Sequence, residues 1–161
     1  MASLSIGDAT RIASVLGLDL SVRVYPGSGP LRDSGHAARL RRILEHVRPP
    51  LAARREVPLP ARADRVDQRA WDAMVAGDGR RTAIELEIRI RDARALERRL
   101  GLKRRDDALD GFVLVVADTR RNRATIASEP GLFADLPRLR ARRVIEALEA
   151  GVHPPSAVIF L

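Results

Sequence analysis

The chain contains no cysteine, which excludes disulfides and thiolate metal sites. Lysine is almost missing as well: Lys103 is the only one among 29 basic residues. Aromatic residues make up 3% of the chain, so Leu, Val, Ile and Ala must fill any core. No apolar run reaches the roughly 18 residues that a membrane helix needs. The first residues carry neither the basic segment nor the apolar stretch of a signal peptide. His36, His46 and His153 show no ligand spacing to one another and are expected at the surface or in caps. Ser128, Ser156 and Thr119 have no base close by, which argues against a nucleophilic triad. Gly27-Ser28-Gly29 reads as a turn and not as a phosphate-cradling loop. These absences leave a cytoplasmic protein with no membrane partner.

What is present is 161 residues, 45% of them apolar, enough for one packed domain. The net charge is +8, with an isoelectric point near 11.3. Such a balance favours a polyanionic partner, DNA above all. The preference for Arg over Lys, with abundant Ala, also matches a GC-rich coding bias, which places Arg on ordinary solvated surfaces. Against that bias a retained lysine stands out, because ammonium is a compact charge whose pKa can move and guanidinium is not.

Along the chain, residues 8–16 predict a short helix capped by Asp8, and Leu18 to Tyr25 alternates like a strand. Pro26 to Pro30 is a loop and a boundary, dividing a small piece (1–26) from the main domain (27–161). Asp33 or Ser34 caps a helix running to Val47, with Leu40, Ile43, Leu44 and Val47 as its apolar stripe. Arg54 to Leu59 is a strand kept to an edge by Pro58. After a polar loop come a strand at Ala70–Ala76, a Gly77-Asp78-Gly79 turn and a strictly alternating strand at Arg81–Arg91. Asp92 caps a helix to Arg105, and Phe112–Ala117 is the unbroken apolar run of a strand covered on both faces. Helices near 120–128 and 138–150 and a last strand at 157–161 complete the pattern. The order predicts an α/β fold with a mixed central sheet flanked by helices.

Three carboxylates stand out. Asp72 follows the lone Trp71, and Glu85 and Glu87 lie two apart on the alternating strand. A turn centred on Asp78-Gly79 sets Asp72 opposite Glu85, with Glu87 on the same face. Like charges so placed repel unless a proton or cation intervenes, and a hard divalent ion such as Mg²⁺ (or Mn²⁺) meets the need. Leu96, Leu100 and Lys103 share one helical stripe, which aims Lys103 at the sheet too. There it can offset charge developing on a phosphorus centre. The plain alternative makes Glu85, Glu87 and Arg89 the solvent face of an amphipathic strand. Asp118 is read as a cap for the following helix.

Helix, strand, Asp72, Glu85-Leu86-Glu87, helix, strand resembles the restriction-endonuclease-like, or PD-(D/E)xK, nuclease fold over residues 34–118. The resemblance implies metal binding by Asp72 and Glu85, with Glu87 standing where lysine is usual and Lys103 supplying the charge from the following helix. It implies Mg²⁺-dependent phosphodiester hydrolysis, with Arg98, Arg99, Arg104, Arg105, Arg120, Arg121 and Arg123 as DNA contacts. Residues 7–20 resemble the last helix and exit of a Cro/C1-type helix-turn-helix domain. The Ala70-Trp71-Asp72, Leu102–Asp106 and Val115–Arg120 segments resemble the C-terminal domain of such proteins from high-GC bacteria. That second resemblance implies an alternative: a non-catalytic regulatory or interaction domain of a transcriptional regulator, open to homodimerisation.

Overall fold

A computed structural model describes residues 5–17, 30–60, 69–129 and 131–161. The strand expected at 18–25 and most of the loop expected at 60–68 lie outside those residues. Two compact units divide the chain, residues 1–33 and 34–161.

The first unit contains helix α1 (Ile6–Val15). Its N-cap is Ser5, not Asp8: the Ser5 hydroxyl accepts from the Asp8 N–H, and the Asp8 carboxylate accepts from the Ser5 N–H. This capping box satisfies two helix-end donors and moves the start two residues earlier than expected.

Helix α2 (Pro30–Leu44) leads into β1 (Ala52–Pro58), β2 (Ala70–Gly77), β3 (Arg80–Glu87), α3 (Ala93–Asp106) and β4 (Gly111–Val116). Then come α4 (Arg120–Ala127), α5 (Ala141–Glu149) and β5 (Ala157–Phe160). The strands lie in the order β1-β2-β3-β4-β5. Neighbours are antiparallel from β1 to β3 and parallel from β3 to β5. The expected α/β architecture, a mixed sheet flanked by helices, is therefore present.

Two apolar layers hold it. Leu96 and Leu100 of α3, Ile126 of α4 and Phe133 pack with Trp71, Met74, Phe112 and Leu114 on one face. Leu40 and Ile43 of α2 and Val144 and Leu148 of α5 pack with Val75, Ile84, Val113 and Val115 on the other. All six residues of β4 are buried, as a strand covered on both sides requires.

Local chemistry sets the ends. Asp78 and Gly79 both have positive φ, +50° and +72°, the two-residue turn whose twist matches an antiparallel pair. Strand β3 stops at Glu87, although its alternation runs on through Ile90. The Ile90 N–H is taken by the buried Asn122 side chain at 3.0 Å, so no ladder partner continues the strand. Helix α5 starts at Ala141 and not at Arg138, because residues 137–139 bond alongside β5 through Pro137 O and the Leu139 N–H. Thr119, not Asp118, caps α4: its hydroxyl accepts from the Asn122 N–H, while Asp118 pairs with Arg123.

Candidate functional site

The β2–β3 ladder runs from Gly77↔Arg80 to Ala73↔Ile84. Carried one step further, its register sets Asp72 opposite Glu85, as the turn chemistry predicts. There the strands part, and side chains take over from the backbone. The Leu86 N–H donates to Asp72 Oδ2 at 2.8 Å. On the other side of the gap, Lys103 Nζ donates to Ala70 O at 2.7 Å.

β1 keeps one register with β2 through this level. Arg55↔Ala73 and Val57↔Trp71 flank a position where Glu56 has a φ of +50°. Trp71 and Met74 both enter the α3-side layer, while Ala73 between them enters the α2-side layer. Strict alternation is broken at Asp72, whose carboxylate reaches His36 on α2. His36 Nε2 lies 3.1 Å from Asp72 Oδ2 and 3.2 Å from Leu86 O. Both partners are acceptors, so this nitrogen carries the hydrogen.

Glu85 is 4% exposed and turned beneath α3. Both of its oxygens accept from Lys103 Nζ, at 2.8 and 3.0 Å. With Ala70 O, they use all three ammonium hydrogens. The same ammonium stands 5.1 Å from the centre of the Trp71 ring. The solvent-face alternative for Glu85 is thereby removed, and Lys103 is aimed at the sheet as its helical stripe predicts. Burial pushes the Glu85 carboxyl up from its ordinary range, the Asp72 charge adds to this, and Lys103 opposes it. The Asp72 carboxylate likewise holds the His36 imidazole above its ordinary value, against the effect of burial.

Glu87 stands further out and accepts from Arg99 Nη2 at 3.0 Å. Each of the three predicted carboxylates thus faces a nitrogen donor from a helix: His36 for Asp72, Lys103 for Glu85, Arg99 for Glu87. Among the described residues, no three His, Asp or Glu side chains are arranged to hold a metal between them. Asp72 remains near enough for its charge to be felt at Glu85. Two carboxylates, completed by water and phosphate oxygens, are the donor set that Mg²⁺ takes.

The other predicted arginines divide in two. Arg104 pairs with Asp135 at 2.6 Å, Arg105 with Asp106 at 2.9 Å and Arg123 with Asp118 at 2.8 Å. Arg98, Arg120 and Arg121 are exposed, with no ion pair among the described residues.

Sequence reasoning missed His36, which was expected at the surface or in a cap. The signal was available: His36, Leu40 and Ile43 follow the same i, i+4, i+7 spacing that exposes Lys103. It also missed Asp107, 3% exposed, which binds Trp71 Nε1 at 2.8 Å and Arg81 Nη1 at 2.8 Å. His46 and His153 have structural partners as well: Glu149 for the first, Thr82 and Gly77 O for the second. No helix among the described residues is long and apolar enough to cross a membrane.

Comparison with protein families, curated proteins and solved structures gives no match to this chain.

Proposed function

We propose that residues 34–161 form a DNA-associated nuclease-like domain of the restriction-endonuclease-like, PD-(D/E)xK, type, whose chemistry is Mg²⁺-dependent phosphodiester hydrolysis. The observation that supports this most is the parting of β2 and β3 at Asp72 and Glu85, with Lys103 brought there by α3. Ion-rich strand ends of this kind are expensive to build for stability alone.

In this reading Asp72 and Glu85 would hold the Mg²⁺ (or Mn²⁺) ion, with Glu87 as a further ligand or base. The ion would supply Lewis acidity and an acidified water. The chain's own residues do the rest. Lys103 carries a fixed positive charge beside Glu85, where it offsets charge developing on phosphorus. The Leu86 N–H and His36 fix the Asp72 carboxylate in one orientation. Arg98, Arg120 and Arg121 are free to meet the phosphate backbone.

A plasmid-nicking assay with Mg²⁺ tests the proposal on the wild type, Asp72→Asn and Glu85→Gln. Nicking by the wild type and its loss in both variants is expected. Equal activity in all three, or none in the wild type, sinks the enzymatic claim.

A second reading, a non-catalytic regulatory or interaction domain of a helix-turn-helix regulator, is favoured by one observation. Each carboxylate of the site already has a nitrogen-donor partner, and the Glu85–Lys103 pair is closed off from solvent. In that reading the buried pair fixes the strand arrangement and binds nothing.

A further inference from the structure

Beyond Glu87 the chain turns from β3 into α3 through residues 88–92, and this connection is unusually well held for a surface segment. Asn122 of α4 is fully buried and ties the backbone there to the end of β4 through its side-chain amide. Its oxygen accepts from the Ile90 N–H at 3.0 Å. Its nitrogen donates to Ile88 O at 2.9 Å and to Ala117 O at 2.8 Å. Ile90 is buried between these bonds, 2% exposed. With Ile88 and Ile90 pinned, Arg89 and Arg91 are displayed to solvent on a fixed backbone.

Both arginines line a shallow cavity of about 330 Å³ that also takes in Glu87, Arg99 and the Asp92 end of α3. The negative groups in this cavity are already committed. Glu87 is paired with Arg99, and Asp92 Oδ1 accepts from the Ala95 N–H as the helix cap. Arg89 and Arg91 have no carboxylate partner among the described residues. A concave, solvent-open site with two free guanidinium groups on a rigid loop suits one kind of ligand: a phosphate, gripped by paired N–H donors.

We infer that the Arg89–Arg91 loop is a phosphodiester-binding subsite, which takes a backbone phosphate of a nucleic acid next to the Asp72–Glu85 site. The inference rests on the nuclease-like reading only for the role of that neighbouring site; the anion site itself stands on the cavity, the loop and the free arginines. Asn122 is a positioning residue for it.

The test is fluorescence anisotropy with the full chain in EDTA, so that neither metal binding nor cleavage contributes. The probes are a labelled DNA duplex and a labelled single-stranded RNA of equal length. Arg89→Gln/Arg91→Gln is expected to weaken binding about tenfold or more. The slope of log affinity against log salt should fall by about one unit, for the one phosphate no longer neutralised. Arg142→Gln on α5, an exposed arginine paired with Glu146, should leave both quantities unchanged. Loss on the duplex or on the RNA supports the subsite and names which backbone it takes. Unchanged affinity and slope on both probes, an equal effect of Arg142→Gln, or no binding by the wild type overturns it. A protein that binds in EDTA through these arginines yet nicks nothing in Mg²⁺ keeps the subsite and loses the enzyme.

Discussion

The two ends of the β2–β3 hairpin are closed in different ways. At the turn, Gly77 pairs with Arg80 and the ladder is continuous. His153 Nε2 donates to Gly77 O at 2.9 Å, and its Nδ1 lies 2.9 Å from the Thr82 hydroxyl. Those contacts can be made without ionised groups. At the far end the ladder stops and Asp72, His36, Glu85 and Lys103 crowd into the gap. Neutral hydrogen bonds cost little to desolvate, whereas buried charges such as the Glu85–Lys103 pair cost several kcal/mol each. A structure that needed only to end a hairpin would use the first solution twice. The second solution marks the end where binding or chemistry should be sought.

The largest expected effect is at the charged end. Lys103→Met leaves the Glu85 carboxylate buried without its cation, and should cost about 3–5 kcal/mol in urea denaturation. Adding Glu85→Gln should recover a large part of that loss, because the unpaired charge is gone. A single variant that costs nothing would mean that Glu85 is already neutral and the pair is not ionic.

The Thr82–His153 bond at the turn end should be milder. Thr82→Val removes one hydrogen bond to His153 at a fully buried position and should cost about 1–2 kcal/mol by the same measurement. A cost equal to that of Lys103→Met would erase the contrast between the two ends.

The smallest effect concerns proton linkage. The Asp72 partner raises His36 above 6.5 in the folded chain. A raised value means that this contact contributes its stability fully below 6.5 and loses it as the pH rises through the folded value. Nuclear magnetic resonance titration of His36 should show a midpoint above 6.5 that drops in Asp72→Asn. A midpoint unmoved by that substitution would remove Asp72 as the cause.

The legible parts of this molecule were those fixed by local rules. Asp78-Gly79 predicts the turn, and the turn predicts the register as far as Ala73↔Ile84; the shared face expected for Asp72 and Glu85 does not follow, because Asp72 turns to His36 of α2 while Glu85 turns beneath α3. The spacing of Leu96, Leu100 and Lys103 likewise predicts which way the lysine points. What was illegible depended on contacts across layers. Nothing near Glu85 in sequence says that α3 covers it, so its burial could not be separated from an amphipathic solvent face. The end of β3 is decided by Asn122, 32 residues after Ile90. The break in alternation at Asp72 goes with a contact across layers, to His36 of α2, 36 residues earlier. His36 is readable by the rule that finds Lys103, because it shares the i, i+4, i+7 stripe of Leu40 and Ile43.

The central claim is that the charged end of the hairpin binds a divalent cation through Asp72 and Glu85. Isothermal titration of the full chain with Mn²⁺ tests it most directly, beside Asp72→Asn under the same conditions. The account predicts one saturable site in the wild type and its loss in the variant. No saturable binding in the wild type, or the same binding in both, contradicts it and leaves the non-catalytic reading.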